Sequence, residues 1–263
     1  MQQTALNTFS NFASVCKFNI LFFGGLIAWT IAYFPIAFFT YIFRVHVQHS
    51  QKQREIRALS HFYGKICCLL LGKLTKIEYT NRNSELPHAY IITPNHQSFF
   101  DPYCIGLFPI KNHVFFVRKW PFKIPLYGII MREAGYLNSE NMQIKTFLQQ
   151  AGELLHDGAA LIIYPEGTRS STGELGRFHS GAFLLAMKYN VPIVPMCIAG
   201  TGSVFPKGKS FGKPAQVRVT LMEQVNPTAF KHFGDTAHIH MQRYIKTVMK
   251  DALTHFHDIN KCR

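Results

Sequence analysis

Apolar and polar residues along this chain fall into three successive patterns. From Phe18 to Phe43 run 26 residues without a charge. From Gln51 to Leu71, Ile56, Leu59, Phe62, Ile66 and Leu70 recur at spacings of three and four, with Lys52, Arg54, His61 and Lys65 off that stripe. That period predicts an amphipathic helix. Beyond it, short apolar runs alternate with helical patterns. Strands are predicted near 76–80, 88–93, 114–118, 160–164, 192–198 and 216–222. Helices are predicted near 102–109, 125–133, 141–157, 179–189 and 236–256. Such alternation predicts an α/β sheet with helices on its faces.

The uncharged segment, if helical, would be about 39 Å long at ~1.5 Å per residue, against a hydrocarbon core of ~30 Å. That is enough for one tilted membrane crossing. Pro35 allows a second arrangement, a re-entrant hairpin that turns back within the segment, and a buried core helix is the third. A cleaved signal peptide fits poorly, because the run is long, starts late and is followed by no small-residue cleavage site. Only Lys17 precedes the segment, whereas Arg44, Lys52, Arg54 and Arg57 follow it, opposed by Glu55. The bias of cations toward the inner side predicts that the rest of the chain lies on the cytoplasmic side. The basic amphipathic helix suits anionic headgroups or packing against the domain. These features divide the chain into residues 1–74, an anchor with its amphipathic helix, and residues 75–263, the α/β domain, which the motifs it carries make the expected catalytic domain.

Composition narrows the partners. A net charge of +14 and a pI of about 9.6 favour an anionic surface or ligand. The charge is spread along the chain with no zinc-finger or ribonucleoprotein signature, so no nucleic acid is expected. The six cysteines, at 16, 67, 68, 104, 197 and 262, show no CxxC spacing and read as free thiols in a reducing compartment. His238, His240, His255 and His257 lack zinc-ligand spacing and read as helix-surface residues. No metal and no organic cofactor are expected.

Two polar clusters carry the candidate chemistry. Asn95-His96-Gln97-Ser98-Phe99-Phe100-Asp101 follows a strand-like run. A histidine takes a proton near neutral pH, and a carboxylate orients it. Residues five apart diverge by roughly 140° on a helix and face opposite sides of a strand, so the pair needs a turn to meet. Asp101 before Pro102 predicts a helix N-cap with proline in the first turn, which would supply that turn. A plain capped helix remains the alternative at this point. The second cluster, Pro165-Glu166-Gly167-Thr168-Arg169-Ser170, follows the apolar run Ala159–Tyr164. Ligands bind beyond the carboxyl ends of strands in open α/β sheets. Arg169 suits a phosphate, since its planar fork bonds two oxygens. Gly200-Thr201-Gly202-Ser203, with Lys207, Lys209 and Lys213, reads as a surface loop, or else one facing a phosphate or lipid.

Together and in this order the clusters resemble the glycerolipid acyltransferase family. NHQSFFD matches its histidine–aspartate motif, Tyr164 to Ser170 its (F/Y)PEGTRS motif, and Val191-Pro192-Ile193-Val194-Pro195 its VPIVP-type segment. The resemblance covers roughly residues 55–225. It implies a mixed sheet flanked by helices with an N-terminal membrane-associated helical segment, on a bacterial inner membrane. It implies acyl transfer from acyl-CoA or acyl carrier protein to a lysophospholipid, first of all 1-acyl-glycerol-3-phosphate. Another lysolipid acceptor, a lipid hydrolase and a non-catalytic membrane lipid-binding protein are the alternatives. His96 is then the general base and Asp101 its partner. Glu166, Gly167, Thr168, Arg169, Asn95, Ser98 and Lys119 are the expected substrate-binding residues. Backbone N–H groups near Gly167 or the VPIVP segment are the expected oxyanion donors. The family's GxxFxxR motif is altered here to Gly135-Tyr136-Leu137-Asn138-Ser139-Glu140-Asn141. Its missing arginine leaves Arg118, Lys119, Arg132 or Lys145 as substitutes.

Overall fold

A computed structural model describes residues 2–261 except Asn141, with side-chain surroundings given for residues 12–256 apart from that position. Seven strands form one mixed sheet in the order β1-β7-β6-β2-β5-β3-β4. They are β1 (Ile77–Asn81), β2 (Tyr90–Pro94), β3 (His113–Val117), β4 (Leu137–Asn138), β5 (Ala160–Ile162), β6 (Ile193–Ala199) and β7 (Val217–Leu221). All neighbours are parallel except β6 and β7. Strand β4, only two residues long, was not expected from the pattern.

Side-chain alternation along the strands divides the interior into two cores. On one face Tyr90, Ile92 and Phe115 pack with Phe18 and Phe22 of α1 (Gln2–Ile42) and Cys67 and Leu71 of α2 (Lys52–Leu74). On the other, Ile91, Val114 and Phe116 pack under α4 (Ile144–His156), α5 (Gly181–Tyr189) and α7 (Ala237–Lys261). The short helices α3 (Tyr127–Glu133) and α6 (Thr201–Val204) sit near the strand ends that carry the site.

Helix α1 runs through Pro35 without a turn, so the hairpin expected as an alternative does not form there. It ends in a π-helical turn, Phe43–Val47, and the chain reverses before α2. Proline removes one backbone donor, and the rest of this long helix carries the geometry across. One stripe of α1 faces the domain. Phe18 and Phe22 pack on Phe205, and Trp29 and Tyr33 stack against Phe62 and Tyr63. Asn19 bonds both the N–H and the carbonyl of Gly212. The opposite stripe, including Ile20, Ile27, Ile31 and Phe39, is exposed. The window Phe12–Val47 is long and apolar enough to cross a membrane, with 11% of it buried.

The cations after this segment are engaged by the protein. Arg44 pairs with Glu55, Lys52 with Glu133, and Arg54 donates to the Asp157 carbonyl. Arg57 is buried, and donates to the Ala134 carbonyl, Asn112 and Gln53. It locks α2 to the domain.

Among the described cysteines, 67, 68, 104 and 197 are buried and free, and Cys16 is half-buried and free. Cys262 and the side chain of His257 lie outside the described residues. His238 and His240 are half-buried, and His255 is exposed.

His61 of α2 and His113 of β3 lie together in the interior, ring centroids 5.9 Å apart. Burial pushes both imidazoles down to about 4. The unfolded chain, titrating near 6.5, therefore takes up these protons first as the pH falls. Stability is full above about pH 6.5 and is lost as the pH drops toward 4. Each histidine accounts for up to about 3 kcal/mol of that loss at ~1.36 kcal/mol per unit. The His61 Nδ1 has no partner, so His61→Phe is a shape-conserving test. The variant's Tm in detergent should fall less between pH 7 and pH 5 than that of the unaltered protein. An equal fall would show that His61 does not titrate with unfolding.

Candidate functional site

Strand β2 lies inside the sheet and ends at Pro94, which releases the chain into the loop that carries His96. Asn95 fixes the exit. Its amide donates to the Ile198 carbonyl at 2.8 Å and accepts from the Ile198 N–H at 2.7 Å. The loop is thereby bound to β6. Beyond it the chain forms a 3-10 turn, Asp101–Leu107, rather than the α-helix expected.

Asp101 is not the cap of that helix. No side-chain bond caps the turn, and Asp101 is its first residue. Its carboxylate points backward instead. Oδ2 accepts from the N–H of Gln97 at 2.7 Å, the N–H of Ser98 at 2.8 Å and Nδ1 of His96 at 2.8 Å. The carboxylate itself therefore makes the turn that brings the pair together. A carboxylate only accepts, so Nδ1 of His96 carries the proton and the Nε2 lone pair is left free. Asp101 is wholly buried, and the His96 side chain is 19% exposed.

The second cluster is bonded to the first. Glu166 Oε1 accepts from the His96 N–H at 2.9 Å and Oε2 from the Gly176 N–H at 2.8 Å. The Ser170 N–H donates to the His96 carbonyl at 2.7 Å. Glu166 is 6% exposed, and burial pushes its carboxyl up despite those two donors. The Tyr164 ring lies 4.4 Å from the His96 ring, and its hydroxyl is buried without a partner.

A cavity of about 1050 Å³ opens over His96. Its inner wall is aromatic and apolar, with Phe115, Tyr127, Met131, Tyr136 and Tyr164. Its polar part holds Gly167, Thr168, Arg169, Arg118 and Lys207. Arg118 donates to the Gly167 carbonyl and Lys207 to the Arg169 carbonyl, so these cations are tied to the loop after β5. A second cavity of about 580 Å³ lies between α1, α2 and α3 and shares Tyr103, Phe115 and Tyr136 with the first.

Not every expected substrate-binding residue reaches this space. Gly167, Thr168 and Arg169 do. Asn95 and Ser98 are buried and bonded within the protein, Ser98 Oγ donating to the Phe205 carbonyl. Glu166 holds the His96 backbone. Lys119 is exposed beside the cavity and does not line it. Of the four cations considered as substitutes for the missing arginine, Arg118 alone lines the cavity. Arg132 donates instead to the Phe122 carbonyl. In the altered segment Tyr136, Ser139 and Glu140 line the wall. Two of the backbone N–H groups in the expected oxyanion regions are engaged within the fold. The Gly167 N–H bonds the Tyr164 carbonyl, and in the VPIVP segment the Ile193 N–H bonds the Val225 carbonyl within the sheet. Among the described residues no three His, Cys, Asp or Glu cluster as a metal site.

The contact of Thr201 with Asp101 and that of Tyr164 with His96 were not expected from the sequence, and of the loop read as surface or phosphate-facing Lys207 lines the cavity. The segment Gly200–Ser203 is not a surface loop at Thr201, which is fully buried against Asp101. The available signal was a Gly-Thr-Gly directly after a strand adjoining β2.

Residues 76–199 match the family profile of acyltransferases. The chain is 33% identical over 180 residues to a 1-acyl-sn-glycerol-3-phosphate acyltransferase of Chlamydomonas reinhardtii, covering 65% of this chain and 53% of that protein. It is 26% identical to the Helicobacter pylori protein of that name, over 73% of this chain and 81% of the relative. The chain spans about half or less of the length of the first plant and algal relatives it matches, 53%, 37% and 35%. The crystal structure of the 1-acyl-sn-glycerophosphate acyltransferase PlsC from Thermotoga maritima superimposes with a TM-score of 0.73 at 20% identity, over 92% of this chain and 95% of that one, which establishes the fold. Motifs, family profile and fold agree that residues 76–199 form an acyltransferase domain similar to that of the 1-acyl-sn-glycerol-3-phosphate acyltransferases.

Proposed function

We propose that this protein transfers a fatty acyl group from an acyl thioester, of coenzyme A or acyl carrier protein, to the free hydroxyl of 1-acyl-glycerol-3-phosphate, giving phosphatidic acid. The observation that carries this reading is the His96–Asp101 pair, with a free Nε2 on a large cavity that is apolar inside and cationic at one part of its wall. A lysophospholipid has the same division, an apolar chain and an anionic head.

The steps follow from the atoms. Nε2 of His96 takes the proton of the acceptor hydroxyl as its oxygen attacks the thioester carbonyl. Asp101 bonds Nδ1–H and supports the imidazolium. The tetrahedral intermediate collapses, the carbon–sulfur bond breaks, and the imidazolium returns the proton to the thiolate. No covalent acyl-enzyme is needed. Arg118, Arg169 and Lys207 replace the arginine missing from the altered segment as the positive charge for the acceptor phosphate.

The exposed stripe of α1 attaches the protein to a membrane. Residues 18–33 of α1 are held against the catalytic core, so that length lies beside the domain. This favours a helix whose exposed face enters the lipid over one that crosses with residues 18–43 as its span. A cytoplasmic position, on a bacterial inner membrane, is the setting in which both acyl donors occur.

The purified protein should consume acyl thioester only when lysophosphatidic acid is present, with phosphatidic acid as the product by mass spectrometry. Fatty acid release without acceptor would assign a hydrolase, and binding without turnover a lipid-binding protein. Turnover restricted to a different lysolipid would keep the mechanism and replace the acceptor. Arg169→Ala should raise the KM for lysophosphatidic acid about 10–100-fold, as expected for one charge-assisted bidentate contact of ~1.5–3 kcal/mol. The KM for the donor should change little. An unchanged acceptor KM would remove Arg169 from the phosphate site.

A further inference from the structure

Both oxygens of the buried Asp101 carboxylate are occupied. Three of its donors come from the turn it closes. The fourth comes from a distant part of the chain, the Thr201 hydroxyl, which donates to Oδ1 at 2.6 Å. Thr201 is fully buried, and its backbone is set by close approaches on both sides. Gly200 has φ +88, and a Cβ there would sit 1.9 Å from the Gln216 carbonyl oxygen. A Cβ at Gly202 would meet the Gln97 side chain at 3.2 Å. Asn95 clasps both backbone groups of Ile198, three residues before Thr201. The hydroxyl is therefore delivered to Oδ1 by a segment that cannot drift.

We propose that Thr201 is a positioning residue for acyl transfer, whose hydroxyl aims the Asp101 carboxylate at Nδ1 of His96 and sets how strongly that carboxylate holds the imidazolium. The proposal rests on the acyl-transfer reading above. A donor on Oδ1 stabilises the anion and reduces its pull on the histidine proton. Without it the carboxylate becomes more basic, and His96 keeps its second proton to higher pH. The base is then unavailable over part of the working range.

Other titratable groups face the pair. Glu166 holds the His96 backbone, Tyr164 lies on its ring, and Cys104 is in the turn beside Asp101. His179, Arg118, Arg169 and Lys207 share the cavity. Burial pushes the Tyr164 hydroxyl well up, and the hydrogen bond with Cys68 together with burial pushes the Cys104 thiol well up. All of these are common to the variants compared below, so a difference between variants reports Thr201.

The test uses the full chain in detergent, as Thr201→Val, Thr201→Ala and Thr201→Ser. Two quantities are read: kcat/KM against pH, and the titration midpoint of the His96 imidazole by NMR, assigned by its loss in His96→Ala. Val and Ala should lower kcat/KM about 10–100-fold, the worth of one hydrogen bond to a charged group. They should move the acid limb and the His96 midpoint up together by roughly 0.5–1 pH unit, with acceptor KM within about twofold. Ser should restore both toward the original values. A purely space-filling Thr201 would predict the opposite ranking, with Val, the closest in shape, behaving best and no midpoint moving. The proposal is overturned if Val and Ala leave the midpoint and acid limb in place, or if Ser is no better than Val. If Val fails to fold, Ala and Ser decide the matter alone. Transfer that survives in His96→Ala overturns His96 as the base, and an unaltered protein without transfer overturns the acyl-transfer reading; in either case the NMR midpoints still report separately on the link from Thr201 to Asp101.

Discussion

Replacing His96 by alanine should lower acyl transfer by ~10²–10⁴-fold, the usual worth of a positioned general base. Folding and membrane association should survive. The reason lies in which His96 atoms hold the structure. Its backbone N–H and carbonyl bond Glu166 and Ser170, and alanine keeps both. Only the imidazole is lost, and its one structural bond is to a carboxylate that retains three other donors. The loss should therefore appear in kcat with little change in Tm. Asp101→Asn should be damaging in a different way. Asparagine can present its oxygen to the Gln97 N–H, Ser98 N–H and His96 Nδ1–H and its NH₂ group to the Thr201 hydroxyl, but it lacks the negative charge that strengthens these bonds, so it loses Tm as well as kcat. Measuring both quantities for both variants separates the base from the turn it sits on. A His96→Ala protein with near-normal turnover would end the mechanism proposed here.

The histidine and aspartate were legible as a pair because a loop histidine and a nearby acid follow a buried strand. What the sequence could not supply was the direction of the carboxylate. Helix-cap statistics point an Asp-Pro forward, toward the helix it begins. Here the competing demand of two upstream N–H groups and an imidazole turns it backward, and the following segment winds as a 3-10 turn. The sheet was legible from its apolar runs, since buried parallel strands have no polar face to disguise them. The two-residue β4 and the antiparallel β6–β7 pair were not, because neither leaves a periodic signature. Asn95, Ser98 and Glu166 were expected to bind substrate and instead bond the protein around His96, because local sequence cannot tell a side chain that meets substrate from one that meets the backbone behind the catalytic residue. Thr201 shows the same limit in reverse. Its neighbours are glycines, usually a mark of exposure, yet here they mark backbone approach across a hundred residues of sequence. The partners of the four cations after the apolar segment were not legible either, since each is brought to its partner by the tertiary fold.

Gly106→Ala should be among the most damaging single-methyl changes in this protein. Helix α2 crosses the turn that begins at Asp101 with backbone against backbone. A Cβ on Gly106 would lie 2.3 Å from the Lys65 nitrogen and 2.7 Å from the Gly64 carbonyl carbon. Neither is the end of a flexible side chain, so α2 or the turn has to move. Overpacking typically costs ~1–3 kcal/mol, and a rigid backbone contact belongs at the upper end. At roughly 2–4 °C per kcal/mol for a chain of this size, Tm should drop by about 5–10 °C. The shift also reaches the chemistry, because Cys68 of α2 bonds the Tyr103 carbonyl in the same turn and Asp101 is that turn's first residue. A near-attack geometry displaced by ~1 Å can lose 10²-fold in rate, so activity at temperatures well below Tm should fall by more than the loss of folded protein explains. Gly24→Ala is the matched control. A Cβ there meets nothing within 4 Å, and alanine in a helix interior is favoured over glycine by ~1 kcal/mol. It should leave activity unchanged and Tm equal or slightly higher. Equal behaviour of the two variants would mean that α2 does not bear on the catalytic turn. The expected contrast would make the anchor helices part of the active-site scaffold, so that whatever holds α1 and α2 at a membrane also fixes the position of Asp101.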